Sequence, residues 1–181
     1  NFNQWNKQEH SLESRWDNSG IWELFVPGIA KGEAYKYAIQ TKSGEWLEKS
    51  DPFSRYCEEA PKTASIVWDS HYKWKDKKWL NSRKKSAGSS APFSVYEVHI
   101  GSWRRNDLED NRSLSYIELA EGLVEYVLET GFTHVEFLPV MEHPFYGSWG
   151  YQSLGYFAPT SRYGDPQSFM YLVDKLHQAG I

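Results

Sequence analysis

The sequence contains little sulfur and no long run of apolar residues. Cys57 is the single cysteine among 181 residues, which excludes an internal disulfide framework. No segment has the pattern of a signal peptide, and none offers the roughly 20 consecutive apolar residues that a membrane-spanning helix needs. We therefore expect a protein of the reducing cytoplasm with no membrane partner.

An excess of basic residues is also lacking. The formal net charge is -4, with 20 Lys and Arg against 24 Asp and Glu. The run of lysines at residues 73–85 is interrupted by Asp76, Trp74 and Trp79, so we interpret it as solvated surface. Because nucleic-acid binding depends on concentrated positive charge, we expect no nucleic-acid partner.

Aromatic residues, by contrast, are abundant. They make up 17% of the sequence and include nine tryptophans. In soluble proteins so many rings either fill cores or form flat platforms for ligands such as sugar rings. Composition favours the core, and strand tryptophans are usually core residues. For Trp5, Trp22, Trp46 and Trp68 the alternative of a glycan platform stays open.

The first half of the chain has the pattern of a small β domain. Short segments rich in β-branched and aromatic residues are separated by turn signals such as Pro27-Gly28 and Ser43-Gly44. The predicted strands are residues 20–27, 33–40, 46–48 and 64–68, and the second and third of them form a hairpin. Several short strands at regular spacing predict an antiparallel β-sandwich over residues 1–80.

A change of composition marks a boundary after this domain. Residues 81–92 consist mainly of serine, lysine, glycine and proline, and contain no apolar residue larger than alanine. This composition is typical of a linker. We expect a second domain from residue 93 to residue 181.

The second half alternates strands and helices. Residues 93–100 and 133–140 are predicted strands, and between them residues 115–130 carry a capping box, Ser115 with Glu118, before an apolar stripe of helical period. Asp165 and Pro166 begin a second helix. Alternating βα units predict a parallel sheet, either closed as a barrel or open and doubly wound.

About two dozen residues between the second strand and the second helix have no clear period. Connections this long usually have a function. The segment interleaves aromatic rings with glycines, which suits flat ligand faces carried on a tightly turned backbone. Its aromatic residues are Phe145, Tyr146, Trp149, Tyr151, Tyr156, Phe157 and Tyr163.

Ordered motifs along the chain resemble those of bacterial 1,4-α-glucan (glycogen) branching enzymes. In the second half they are YEVHIGSWRR at residues 96–105, GFTHVEFLPVMEHPFYGSWGYQ at 131–152 and APTSRYGDP at 158–166. In the first half, FNQWN, SGIWELFVPG, YKYAI, KSDPF and PKTAS resemble the β-sandwich carbohydrate-binding module of these enzymes. The resemblance covers the whole chain. It implies a β-sandwich carbohydrate-binding module followed by the first two βα units of a (β/α)8 barrel.

The resemblance also implies an activity on α-1,4-glucans such as glycogen, amylose and malto-oligosaccharides. In this family an aspartate attacks the anomeric carbon and a glutamate serves as acid and then base, in a retaining double displacement. A glucan 6-hydroxyl then takes up the segment, which forms an α-1,6 branch. No metal or organic cofactor is required, and we expect a monomer.

Family motifs assign substrate-binding residues but no catalytic ones. The catalytic nucleophile and acid/base are expected on strands beyond Ile181, so no catalytic residue is assigned here. Tyr151 matches the family's tyrosine that stacks on the sugar ring at the cleavage subsite. Trp149 and Gln152 are its neighbours in the same motif, and we expect them to line the donor groove.

Other polar residues near the predicted strand ends are interpreted as structural. The pairs Glu97 with His99 and His134 with Glu136 each share one face of a strand, where polar packing pairs are common. Glu142 is not proposed as a catalytic group. A metal-ligand role for His143 is disfavoured because no second histidine stands at ligand spacing.

Two alternatives to a branching enzyme remain. A glycogen-debranching enzyme or a trehalose-releasing hydrolase shares the layout and the chemistry but uses water as acceptor, and the GSWGYQ and GSWRR segments argue against both. The other alternative, from a different class, is a non-catalytic glucan-binding protein.

Overall fold

The computed structural model describes residues 2–86 and 90–181. In the first part of the chain the strands are short and pair in antiparallel ladders of two: β1 with β2, β3 with β6, and β4 with β5. Their bounds are β1 Glu13–Ser14, β2 Trp22–Glu23, β3 Ala34–Tyr35, β4 Tyr37–Gln40, β5 Trp46–Lys49 and β6 Ser65–Ile66.

The predicted hairpin is confirmed. β4 and β5 pair from Tyr37 opposite Lys49 to Gln40 opposite Trp46, and the Thr41 N–H donates to the Glu45 carbonyl (2.8 Å) across the turn. The other predicted strands are shorter than expected. Residues 20–27, for example, form only the two-residue strand β2, which pairs with β1 at two positions, and the apolar side chains around it are exposed.

The expectation that strand tryptophans fill the core is wrong for most of them. Trp5, Trp22 and Trp46 are all exposed to solvent. Trp68 is half-buried, with its ring centroid 4.5 Å from that of Tyr56. Period-two alternation places a side chain on one face of a strand, but it does not show whether anything packs against that face.

The predicted linker, residues 81–92, needs correction. Its first half is helical, because α1 spans Lys77–Ser86, while residues 87–89 lie outside the described part of the chain. Lysine and arginine are good helix formers, so the absence of large apolar residues does not prevent a helix. Trp79 supplies the anchor: its ring stacks on His177 at 3.7 Å between centroids, and His177 Nδ1 lies 2.8 Å from Asp76 Oδ2.

The second part of the chain is built around a parallel pair of strands. β7 (Val95–Val98) lies beside β10 (His134–Phe137), with Glu97 directly opposite Glu136. The other elements, in chain order, are α2 Ile100–Trp103, β8 Arg105–Asn106, β9 Arg112–Ser113, α3 Tyr116–Thr130, β11 Met141–Glu142, β12 Gly155–Pro159 and α4 Pro166–Gln178. The predicted strand–helix–strand unit with parallel strands is confirmed.

Local signals set the ends of α3. The Ser115 hydroxyl accepts a hydrogen bond from the Glu118 N–H, and the Glu118 carboxylate accepts one from the Ser115 N–H (2.7 Å), which is the predicted capping box. Gly131 ends the helix in a left-handed conformation, φ 79°, and its N–H donates to the Val127 carbonyl.

The core lies on the side of the sheet that faces α3. Five side chains of α3 have no exposed surface: Tyr116, Leu119, Ala120, Leu123 and Val127. They pack against Val98 of β7 and against Leu172 and Leu176 of α4. The opposite face of the sheet is open. Of the two polar pairs predicted from the sequence, His134 and Glu136 are both exposed, as is Glu97, whereas its partner His99 is half-buried.

The two parts of the chain meet along α4. The Trp68 indole N–H donates to Gln167 (2.8 Å). The Lys75 N–H and the Tyr72 hydroxyl both donate to the buried Asp174 carboxylate, at 2.9 and 3.2 Å. The segment between β6 and α1 is therefore held against the second part by hydrogen bonds rather than left as a free connection.

Candidate functional site

The candidate site is the loop of residues 143–154, which we call the aromatic loop. It joins β11 to β12, which pair antiparallel, so part of the segment predicted to lack a regular period is a β-hairpin. The loop contacts the chain just after both parallel strands: Gly150 lies against Pro139, and the Trp149 ring lies 5.7 Å from the ring of His99. The carboxyl ends of parallel strands are where α/β proteins bind ligands.

The loop backbone is tightly turned. A 3₁₀ helix at Tyr146–Ser148 is followed by Trp149 and Gly150, both with positive φ, 54° and 88°. Positive φ is rare for a bulky residue such as tryptophan and occurs mainly where the surroundings impose it. Gly150 is required because a side chain there would collide with the Pro139 carbonyl. After these turns, the side chains of Tyr151 and Gln152 are exposed to solvent.

The three predicted substrate-binding residues are on the surface of this loop. The relative exposure of Tyr151 is 72% and that of Trp149 is 57%, and Gln152 is exposed as well. The Tyr151 N–H donates to the Ser148 carbonyl (3.0 Å). Among the described residues, the Tyr151 ring has no hydrogen-bond or ring partner. The structure thus brings all three onto one exposed turn, where the ring of Tyr151 has no ring partner within the part of the chain that the structure describes and that of Trp149 lies beside His99.

A buried ion pair lies at the base of the loop. Glu142 and Arg162 have side-chain exposures of 1% and 7%, and Arg162 Nη1 lies 2.7 Å from Glu142 Oε1. Thr160, the His143 N–H, and the N–H and hydroxyl of Ser161 complete the set of donors to the carboxylate. Both carboxylate oxygens are therefore satisfied, as a buried charge requires.

Two tyrosines continue this network towards the sheet. The Arg162 guanidinium lies 5.6 Å from the ring centroid of Tyr146, and the hydroxyls of Tyr146 and Tyr163 both lie beside Gly101, where a Cβ atom would collide with them. Burial, followed by the neighbouring Tyr146, raises the pKa of the Tyr163 hydroxyl. Tyr163 stays protonated at neutral pH and acts as a hydrogen-bonding packing residue.

His99, interpreted from sequence as structural, supports Trp149. Its Nδ1 lies 2.9 Å from the Ser102 hydroxyl. Burial lowers the pKa of the imidazole, and the nearby His143 and Arg105 lower it further. The ring is therefore mainly neutral near pH 7 and offers a flat apolar face to the indole.

No metal centre is indicated for the described residues, since none of their His, Cys, Asp and Glu side chains form groups of three or more that could hold an ion. His143 is buried, and its Nδ1–H donates to the Met141 carbonyl (2.9 Å). In the same part of the chain, no helix is long and apolar enough to cross a membrane.

Comparison with known proteins adds the family context. Residues 1–54 match carbohydrate-binding module 48 (isoamylase N-terminal domain). A 1,4-alpha-glucan branching enzyme from Aquifex aeolicus is 58% identical over 99% of this chain, and one from Corynebacterium glutamicum is 53% identical over the same share. Over nearly its whole length the chain is therefore similar in sequence to 1,4-alpha-glucan branching enzymes. It spans 28% and 24% of the length of these two relatives.

A solved structure supports the same arrangement. The crystal structure of a protein assigned as an alpha amylase, from Salmonella typhimurium, superposes with a TM-score of 0.70 at 27% identity, and covers 94% of this chain and 26% of that protein. The chain therefore has a carbohydrate-binding module followed by the start of an amylase-like domain, as the branching-enzyme resemblance implies.

Glu142 and Arg162 are the site residues that the sequence did not reveal as a pair. They are 20 positions apart, and no helical or strand period relates them. The available signal was weak: Glu142 lies in the family-like motif of residues 131–152 and Arg162 in that of residues 158–166. In the sequence, Tyr146 and Tyr163 stand out only as two of the many aromatic residues of this segment.

Proposed function

We propose that this chain is part of a 1,4-α-glucan branching enzyme, which cleaves an α-1,4-glucan and transfers the segment to a 6-hydroxyl. The observation that carries the proposal is identity of about one half, over the whole chain, to enzymes named for that activity. The exposed aromatic loop at the carboxyl ends of β7 and β10 supports it. We further propose that the protein acts in the cytoplasm, as a monomer.

The proposed architecture has residues 1–80 as the module and residues 93–181 as the first two βα units of a (β/α)8 barrel. Support comes from the parallel pairing of β7 with β10 and from α3 packed on one face of that pair. The second unit is β10 followed by α4. The open face with Glu97, His134 and Glu136 would then line the barrel interior, where side chains from neighbouring strands fill the centre.

The proposed binding roles follow from exposure and chemistry. Tyr151 stacks on the sugar ring at the cleavage subsite, where its π face also attracts the positive charge that develops on the ring. Trp149 and Gln152 line the donor groove next to it. We assign no nucleophile or proton donor to this chain, and the buried Glu142 cannot serve because its oxygens already accept five hydrogen bonds.

The deciding experiment is an assay of the complete protein on amylose, with α-1,6 linkages followed by proton NMR and reducing ends by a colorimetric assay. We expect new branch signals without a net gain of reducing ends. Reducing ends from amylose without branches would show a hydrolase of α-1,4 linkages. A parallel assay on glycogen, in which a loss of α-1,6 signals with a gain of reducing ends would show a debranching enzyme, and one on a malto-oligosaccharide that ends in trehalose complete the comparison with the hydrolases. The module alone does not separate these classes, because its family is described after isoamylase.

A third outcome would identify a protein that binds glucan without catalysis. If amylose binds but neither branches nor reducing ends appear from amylose, from glycogen or from the trehalose-terminated oligosaccharide, the protein is a non-catalytic glucan-binding protein. Binding would be measured by affinity electrophoresis in gels containing amylose, with albumin as the control for non-specific retardation.

A further inference from the structure

The ion pair Glu142–Arg162 is buried beneath the aromatic loop, and the proposed chemistry does not use it directly. We propose that this pair is a positioning unit: it fixes the loop so that the Tyr151 ring meets the sugar at the cleavage subsite. The inference rests on the proposed function and adds two residues to it. Neither residue needs to touch the substrate, because both act through the loop backbone.

The first link is the closure of the loop at Glu142. Its carbonyl accepts the Leu154 N–H at 2.6 Å, and Glu142 pairs with Gly155 in the β11–β12 ladder. The same residue that carries the buried carboxylate therefore joins the two ends of the aromatic loop. Any shift of the carboxylate, which has only 1% exposure, must move this closure.

The second link runs from Arg162 to the 3₁₀ helix of the loop. The guanidinium lies 5.6 Å from the ring centroid of Tyr146, the first residue of that helix. The Trp149 N–H donates to the Tyr146 carbonyl (3.1 Å), and the Tyr151 N–H donates to the Ser148 carbonyl (3.0 Å). Two consecutive turns thus connect the arginine to the backbone of Tyr151.

Tyr151 depends on these links because its own side chain is unsupported. In the described part of the chain its ring makes no hydrogen bond and no ring contact, so only the backbone sets its direction. The direct support beneath the turn, from Gly150 against Pro139, fixes a single point. The ion pair adds two further contacts: Glu142 joins the two ends of the loop, and Arg162 lies against Tyr146 before the turn.

A loop displaced by about 1 Å at a reacting centre costs on the order of 100-fold in rate. We therefore expect Glu142→Gln in the complete enzyme to lower kcat for branching by roughly 10- to 100-fold, with a much smaller change in KM. The reason for this split is that Tyr151 acts mainly on the charged transition state, whereas most glucan-binding contacts lie elsewhere.

The test is a double-mutant cycle with Glu142→Gln, Tyr151→Ala and the double variant, measured as kcat on amylose. If the pair acts through Tyr151, Glu142→Gln has little further effect once the ring is absent, so the two losses do not multiply. Multiplicative losses would overturn the proposal, because they would show that the pair affects catalysis independently of Tyr151.

Two more variants separate positioning from general stability. Arg162→Lys keeps the buried charges balanced but removes the planar group near Tyr146. We therefore expect a higher melting temperature than that of Glu142→Gln, but a similarly low kcat. Asp76→Ala removes the side chain that lies 2.8 Å from His177 Nδ1, outside the aromatic loop, and we expect it to lower the melting temperature without changing kcat. If kcat follows the melting temperature across the variants at Glu142, Arg162 and Asp76, the role of the pair is structural and the proposal fails.

The same measurements distinguish the inference from the proposed function on which it rests. If the wild-type complete protein forms no α-1,6 linkages, the proposed function fails and the inference fails with it. If the wild type branches amylose normally but the losses multiply, only the inference is overturned.

Discussion

At the scale of single residues, Tyr151 is the side chain on which the proposed site most depends. It lies on a turn that leaves its ring mostly exposed, in a loop whose backbone is otherwise closely constrained. An exposed aromatic face without a ring or hydrogen-bond partner is available to a sugar ring, for which it offers both apolar contact and electrostatic attraction to a developing cation.

We expect Tyr151→Ala in the complete enzyme to lower kcat by at least roughly 100-fold, as loss of a group that stabilises transition-state charge does. Folding should remain intact because the ring supports nothing else, and circular dichroism and the melting temperature check this. Tyr151→Phe should keep most of the activity.

The matched control for that prediction is Tyr156→Ala, since Tyr156 is equally exposed but lies on β12, outside the aromatic loop. We expect it to leave kcat nearly unchanged. Comparable losses in the two alanine variants would mean that the stacking role of Tyr151 is not specific.

Gly150 gives a second prediction at this scale. Gly150→Ala places a methyl group against the Pro139 carbonyl at a φ of 88°, so it combines a steric clash with backbone strain. Residues forced into such conformations cost about 1–3 kcal/mol, and the clash adds to this. Urea unfolding of the two proteins measures the difference.

Gly44→Ala measures the cost of backbone strain without a steric clash, because Gly44 has a φ of 86° and open space where the methyl group would lie. We expect Gly150→Ala to lower the free energy of unfolding more than Gly44→Ala does. An equal decrease in the free energy of unfolding for both variants would show that the close approach to Pro139 does not contribute to the cost.

At the scale of elements, α3 shows how local electrostatics stabilise a helix N-terminus. Arg112 donates to Glu118, and the backbone and hydroxyl of Ser115 donate to it as well. These hydrogen bonds, with that of Arg112 the largest cause, lower the pKa of the Glu118 carboxyl from 4.5 to about 2. A carboxylate in the first turn also interacts favourably with the helix dipole.

The sign of the pH dependence follows from that shift. Because the pKa is lower in the folded state, the carboxylate stabilises the fold fully above about pH 4.5, and this contribution is lost as the pH falls from 4.5 towards 2. We expect Glu118→Gln to remove part of the acid-induced loss of stability. The effect is modest since the group is solvent-exposed and screened.

Thermal unfolding between pH 5 and pH 2.5 provides the measurement. The difference in melting temperature between wild type and Glu118→Gln should shrink as the pH falls. A constant difference across this range would contradict the link between Glu118 ionisation and stability. Glu121→Gln is a suitable control, because Glu121 lies on the exposed side of the same helix.

At the scale of the whole molecule, hydrogen bonds along α4 join the segment after β6 to the second part of the chain. Asp174 is buried and accepts hydrogen bonds from Lys75 and Tyr72, in the segment after β6, and from Gln178 in its own helix. Burial raises the pKa of the Tyr72 hydroxyl to about 12, and Asp174 contributes to the shift. One carboxylate thus connects distant parts of the sequence.

We expect Asp174→Asn to destabilise this junction by about 1–3 kcal/mol, because the amide leaves one of the two hydrogen-bonded oxygen positions without an acceptor. Limited proteolysis should then cut the segment of residues 69–76 faster than in the wild type. Asp69→Asn is the control, since Asp69 is exposed and its carboxylate caps only the His71 N–H. Unchanged cleavage in Asp174→Asn would contradict the role of the junction.

Part of the site was predictable because it depends on neighbours in sequence. Tyr151, Trp149 and Gln152 lie within one motif, so the resemblance identified them together, and the structure shows them on one exposed turn. Their binding roles remain predictions. Glu142 and Arg162 were not recognised as partners, because nothing between them has a period that would indicate contact.

By itself the sequence determined α3, α4 and the parallel strands between which α3 lies. Capping residues, apolar periodicity and terminating glycines act over about four residues, so they can be read without knowing the path of the chain. The tertiary structure alone decided which faces are covered: Trp5, Trp22 and Trp46 are exposed, residues 81–86 continue a helix anchored by Trp79 on His177, and Glu142 meets Arg162. These outcomes depend on contacts between segments far apart in the chain, whose free energies no local pattern encodes.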